Sequence, residues 1–154
     1  MPRLLWYWLP VVICAACMWT LSTDPFSSGH TGSVIIPVLH RLLPSATPDT
    51  LEEIHHLIRK SAHVTEYFIF SLLLFRALRG PRRGWTLRWA ILALAIAAVW
   101  GALDETHQIF VPSRGPSVVD VMIDTSGAAL AQSVVWLCLR RGTPTATAIT
   151  PRPS

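Results

Sequence analysis

Apolar residues fall along this chain in four long runs, 4–21, 61–78, 89–108 and 118–139, separated by polar or Gly- and Pro-rich connections. Each approaches the ~20 helical residues needed to cross a ~30 Å hydrocarbon core. The first run is almost wholly apolar, and the third turns polar only at its end. The second carries His63 and Glu66 and the fourth carries Asp120 and Asp124, so each places a polar face on an otherwise apolar helix. The pattern predicts an all-α, polytopic integral membrane protein with four transmembrane helices. Trp6, Trp8, Trp19, Trp85, Trp89, Trp100 and Trp136 lie near the ends of these runs, where an amphipathic ring settles at the membrane interface.

Between the first two runs, Ser22 to Ser33 is rich in Ser, Gly and Pro and reads as loop, and Val34 to Leu43 as a short apolar stretch at the interface. Thr47 before Pro48 then has the form of an N-cap followed by Pro at the first helical position, with Thr50 and Glu53 as a capping-box alternative. Leu51, Ile54, Leu57 and Ile58 recur at helical spacing, while Glu52, Glu53, His55, His56 and Arg59 take the solvated side. This predicts an external interfacial helix before the second span. Residues 1–141 form one domain in this reading, and the Thr- and Pro-rich segment 142–154 a disordered cytoplasmic tail.

Composition narrows the class further. Only 14% of the 154 residues are charged and 51% are apolar, against roughly a quarter charged in soluble domains. A soluble globule, a disordered chain and a disulfide-stapled module are excluded. Cys14, Cys17 and Cys138 lie inside apolar runs and read as packing residues. The net charge of +4 does not point to nucleic acid, because the basic residues sit between apolar runs rather than on one face. They set orientation instead. Arg3, Arg76, Arg79, Arg82, Arg83, Arg88, Arg140, Arg141 and Arg152 fall on one side of the four-span arrangement, nine of the 13 Lys and Arg, with no acid among them. Arg41, Arg59, Lys60 and Arg114 fall on the other, with all nine acids and all six histidines. The positive-inside rule then puts both termini in the cytoplasm. Arg3 with the apolar run after it has the outline of a signal peptide, and the first run is expected to be retained as a span. The basic hairpin Arg79–Arg88 is chiefly a topology signal that also meets anionic lipid.

An ionisable side chain inside a span is costly unless it meets a partner or water, which makes each one a functional candidate. Lys60, His63 and Tyr67 share one face of the second span, with Glu66 beside them. Ala97, Gly101, Asp104 and Gln108 share a face of the third, and Asp120, Asp124, Gly127, Ala128 and Ala131 a face of the fourth. On both, polar residues lie toward the outer end and small ones below. Three helices would therefore pack through Gly and Ala and open outward into an acidic pocket.

Lys60-x-x-His63-x-x-Glu66-Tyr67, Asp104-Glu105-x-x-Gln108, Pro112-x-Arg114, Asp120 and Asp124-Thr125-x-Gly127, in that order, resemble the VanZ-like membrane family, named for a teicoplanin-resistance protein. The likeness runs from Lys60 to about Ala131. The sequence departs from the family pattern at Asp124, where members often have Asn, and at Ala131, where they have a second Gly. The resemblance implies a small polytopic protein of the bacterial cytoplasmic (inner) membrane, in some members tied to glycopeptide tolerance.

The residues themselves point to an acidic, extracytoplasmic pocket for an amphiphile with a mixed-charge head, such as a lipid-linked envelope precursor. His63, Glu66, Asp104, Glu105 and Asp120 are the candidate catalytic groups; Lys60, Tyr67, Gln108, Arg114 and Asp124 are the candidate binding groups, with Arg114 as a fork for an anion. Three chemistries stay open. The cluster holds enough ligand types for a divalent metal, though at no recognised spacing; His63 with Asp104 or Glu105 would make a metal-free acid–base pair; or the charges only fix helix packing, as in a non-catalytic accessory protein. Ion-coupled transport is the weakest reading, because the inverted repeats of common carriers are missing. Arg76, near the inner end of its run, is expected to snorkel.

Overall fold

The computed structural model describes residues 2–23, 27–111 and 117–140, with the backbone alone for Pro2 and Arg3. The expected anion fork, Arg114, and the expected disordered tail 142–154 lie outside these residues. Among the described residues there are five helices and no strand: α1 (Pro2–Leu21), α2 (Ser28–Leu42), α3 (Pro48–Arg79), α4 (Leu87–Gln108) and α5 (Val118–Arg140).

Three helices are long and apolar enough to cross a membrane: α1 over Leu4–Leu21, α4 over Leu87–Gln108 and α5 over Val118–Arg140. The expected fourth span, 61–78, is not one of them, which corrects the count of four. That stretch is the second half of α3, a single helix of 32 residues that also contains the expected interfacial helix. Continuity has a local cause: no Gly or Pro occurs between Asp49 and Arg79, so nothing interrupts the backbone ladder. The weaker hydropathy has a tertiary one. His63, Glu66, Tyr67 and Ser71 are packed toward the neighbouring helices, and α3 touches all four of them.

The start of α3 follows the expected cap, with the Thr50 amide donating to the Thr47 hydroxyl at 3.3 Å and Pro48 in the first turn. At the other end Gly80 (φ +59°) stops the helix and Gly84 (φ +82°) turns the chain into α4. Trp6, Tyr7 and Leu139 gather at that hairpin, whereas Met18, Leu21 and Ser22 gather with Asp104 and the middle of α3. Both ends of the described chain therefore lie at the hairpin end of the bundle, opposite the polar cluster.

Small residues let the helices close. Ala93, Ala97, Ala128 and Ala131 are fully buried, and Gly101 and Gly127 are buried with them. A methyl group on Gly127 would lie 2.5 Å from the Val64 carbonyl oxygen, so α5 rests there on the backbone of α3. One turn below, the Gln132 amide donates to the Ser71 hydroxyl (2.7 Å) and carbonyl (3.1 Å), and the Ser71 hydroxyl donates to the Ala128 carbonyl (3.1 Å). Phe70, Leu74 and Phe75 fill the rest of the interior. Cys17 and Cys138 face outward and only Cys14 is partly covered, so two of the three are not the packing residues expected.

Several local expectations are corrected around α2. The helix begins at Ser28, inside the expected loop, because Gly32 lets it sit against the His55 ring of α3. His55 is consequently buried (4% exposed) and lies 3.3 Å from the Thr31 hydroxyl rather than in water. Of the expected apolar face, Leu51 is buried but Leu57 and Ile58 are exposed. Arg76 does not simply snorkel either: it donates to the Trp6 carbonyl (3.4 Å) and lies 5.1 Å from the Tyr7 ring centroid, tying α3 to α1.

Two outcomes follow from this packing. Gly127→Ala should destabilise the detergent-solubilised protein by about 1–3 kcal/mol, because backbone must move to admit the methyl; Gly29→Ala, with nothing within 4 Å, should not. Thermal unfolding of the two variants checks this. Burial first, then the neighbouring Arg59 and His56, hold the His55 imidazole below its ordinary value. The folded protein thus keeps it neutral while the unfolded chain still binds a proton, so the α2–α3 contact is at full strength above about pH 6.5 and weakens as pH falls below it. Hydrogen exchange of residues 28–42, corrected for intrinsic rate, should accelerate between pH 7.5 and 5.5, and His55→Gln should abolish that step despite His30 and His56 nearby.

Candidate functional site

The polar faces of α3, α4 and α5 converge at the end of the bundle away from the hairpin, where α1 and α2 close over them. A cavity of about 190 Å³ opens there, lined on its polar side by Ser22, Arg59, His63, Glu66, Tyr67 and Asp104. Its other walls are apolar side chains of α1, α2 and α3, among them Met18, Leu21, Ile35 and Ile58. Cation and carboxylate thus face one space with an aliphatic approach.

His63 is the hinge of the arrangement. Its Nδ1 lies 3.1 Å from Asp124 Oδ1, and Asp124 is almost fully enclosed (1% exposed). The hydrogen-bond partner of His63 is thus Asp124, read from the sequence as a binding group, while Asp104 faces the same cavity. The reason is the Gly127 contact, which sets Asp124, one turn earlier on α5, level with the α3 turn that carries His63. With Nδ1 bonded to Asp124, Nε2 is the ring nitrogen without that bond, on a side chain that lines the cavity. The second Asp124 oxygen and the Tyr67 hydroxyl both lie over Gly101, within 3.5 Å of where a β-carbon would stand there. Neither of these two buried atoms has a hydrogen-bond partner among the described residues.

A second network joins α1 to α4. The Ser22 hydroxyl donates to Asp104 Oδ2 at 2.8 Å, and the Gln108 amide donates to the Ser22 oxygen (3.0 Å) and to Asp104 Oδ2 (3.2 Å). Asp104 Oδ1 has no hydrogen-bond partner among the described residues. Glu105 points elsewhere: it is buried and accepts the Ser117 amide at 2.7 Å, where α5 begins. Ser117 in turn receives the Asp120 amide at 3.2 Å and caps that helix, with Asp120 in its first turn.

The predicted site residues therefore divide. His63, Glu66, Tyr67 and Asp104 border the cavity, with Asp124 behind His63 and Gln108 behind Asp104. Glu105 and Asp120 belong to the start of α5, and Lys60 is exposed beyond the cavity lining. Among the described residues, no three His, Cys, Asp or Glu side chains gather closely enough to hold a metal ion. Ser22, Ser117 and Thr31 were not legible as site residues, being single hydroxyls in connecting segments. Arg59, read as part of a solvated face, turns to the cavity and donates to the Ser28 hydroxyl. Its signal was spacing: Arg59, His63, Glu66 and Tyr67 stand at i, i+4, i+7 and i+8.

Compared with known families, residues 6–139 match the model described as VanZ/LLP1. No curated protein and no solved structure matches the chain. The match runs from the first turns of α1 to the end of α5, a range that contains His63, Asp104 and Asp124. The chain belongs to the VanZ/LLP1 family.

Proposed function

We propose that the cavity receives the polar head of an amphiphilic, lipid-linked cell-envelope component at the outer face of the bacterial cytoplasmic membrane, binding or modifying it there. The observation that carries this reading is the composition of the one space: Arg59 and His63 beside Glu66 and Asp104, with aliphatic side chains along the approach. A purely ionic ligand has no use for that apolar wall, and a purely apolar one would strand buried polar atoms. The excess of Arg at the hairpin end supports a cytoplasmic position for that end, where both ends of the described chain lie. The cavity then opens toward the leaflet where lipid-linked precursors are consumed.

In this reading Arg59 meets an anionic group of the head, Glu66 and Asp104 accept from its hydroxyl or amine groups, and His63 Nε2 takes or gives a proton. Asp124 holds the His63 ring and its tautomer, as an acid placed behind a catalytic imidazole does. Glycopeptide tolerance belongs to the same reading, because teicoplanin acts on envelope precursors that this site would hold or alter.

A second reading rests on the Ser22–Asp104–Gln108 and Glu105–Ser117 bonds, which join helices and cap one of them. These contacts support an accessory protein whose polar groups fix its shape.

The two readings separate on variants that keep shape. His63→Gln with Asp124→Asn replaces a charged pair by an amide pair and avoids orphaning a buried carboxylate. It should leave thermal unfolding nearly unchanged. Retention of a species from a bacterial membrane-lipid extract, read by native mass spectrometry, should fall about tenfold or more. Teicoplanin tolerance should fall with it; loss of tolerance only in step with loss of stability would favour the accessory reading. Ser71→Ala, at the α3–α5 seam and outside the cavity lining, removes a hydroxyl bonded to Gln132 and to the Ala128 carbonyl; it should cost about 1–3 kcal/mol of stability, measured by the same unfolding, with retention preserved once the protein is folded.

A further inference from the structure

At the end of the bundle opposite the cavity, the α3–α4 hairpin folds against the start of α1 and encloses a notch of about 470 Å³. Arg76, Arg79, Arg82 and Arg83 line it together with Trp6 and Tyr7. We propose that this notch binds the phosphate of an anionic phospholipid headgroup from the cytoplasmic leaflet.

Charge is the first argument. Among the described residues no carboxylate lines the notch, and in the sequence no Asp or Glu occurs between residues 67 and 103 or after Asp124. Four guanidinium groups around one concavity repel one another unless an anion enters, and none of the described residues supplies one there. The other basic residue near a cavity, Arg59, has carboxylates across from it.

Preorganisation is the second. Arg76 is held by the Trp6 carbonyl and the faces of Trp6 and Tyr7, with its carbon at 5.9 and 5.1 Å from the two ring centroids. Arg79 lies over the Phe75 ring at 5.9 Å, and its buried Nε has no hydrogen-bond partner among the described residues. A phosphate oxygen is the acceptor that a guanidinium fork of this kind fits. Gly80 and Gly84, both at positive φ, bend the chain so that Arg82 and Arg83 return over the same space.

Depth is the third. Trp and Tyr side chains settle at the headgroup level of a bilayer. A notch bordered by Trp6 and Tyr7 at the end of an apolar helix lies where lipid phosphates are concentrated. Diffuse attraction of a basic loop to an anionic surface would need no notch and would weight Arg88 as heavily as Arg83. Arg88, in the first turn of α4, does not line it.

The test uses the full chain purified in a mild detergent and offered phosphatidylglycerol or phosphatidylcholine with matched acyl chains, bound lipid being counted by native mass spectrometry. One phosphatidylglycerol should be retained in preference to phosphatidylcholine by about tenfold. Arg79→Gln with Arg83→Gln should erase most of that preference, and Arg88→Gln should leave it intact. Arg83→Gln alone, at an exposed position, carries the same expectation in weaker form and keeps the test informative if the double variant does not fold. Three results would overturn the proposal: equal retention of the two lipids by the wild-type protein, an Arg88→Gln effect as large as that of the double variant, or displacement of the lipid by millimolar inorganic phosphate, which would assign the notch to a soluble anion.

Discussion

The backbone of α5 touches the backbone of α3 at Gly127, and the rest of the architecture is hung from that contact. A side chain at this position would hold the two helices apart. With none there, Asp124 one turn earlier meets His63, while Ala128 and Gln132 one turn later meet Ser71. Apolar packing between helices in lipid gains little from the hydrophobic effect, because lipid tails are as apolar as the side chains they replace. Close approach of backbones and buried polar bonds supply the specificity instead, and both are concentrated along this one seam.

That seam explains how a helix as polar as α3 sits inside an apolar bundle. His63, Tyr67 and Ser71 are turned to α4 and α5, so the most polar of the long helices is the one its neighbours cover. The apolar surfaces of α1, α4 and α5 are left outward; Leu5, Ile13, Ile91, Val99, Met122 and Leu130 are all more than half exposed. Apolar side chains thus cover the outside as well as much of the core, and polar groups such as Asp124 and Gln132 are held between helices, away from hydrocarbon.

Charge is sorted along the same axis. Carboxylates and histidines collect at one end, where they are bonded to one another and to hydroxyls, and arginines collect at the other, where they stack on aromatic rings. The two ends therefore offer different chemistry: a mixed-charge cavity with an aliphatic wall, and a basic aromatic notch.

Much of this was written in the order of residues. Periodicity alone put Ala97, Gly101, Asp104 and Gln108 on one face of α4, and Asp120, Asp124, Gly127, Ala128 and Ala131 on one face of α5, and all but the half-buried Asp120 are buried. The Thr47 cap, the helical class of the chain and the convergence of small and polar faces follow from local spacing, which obeys helix geometry whatever surrounds it. Pairing does not. Nothing in the sequence says that His63 meets Asp124 rather than Asp104, that Ser22 bridges Asp104 and Gln108, that His55 turns inward onto α2, or that 61–78 is shielded within α3 rather than set against lipid as a span. Each depends on how far one helix is rotated and slid against another, and that is decided by where a missing side chain lets two backbones meet.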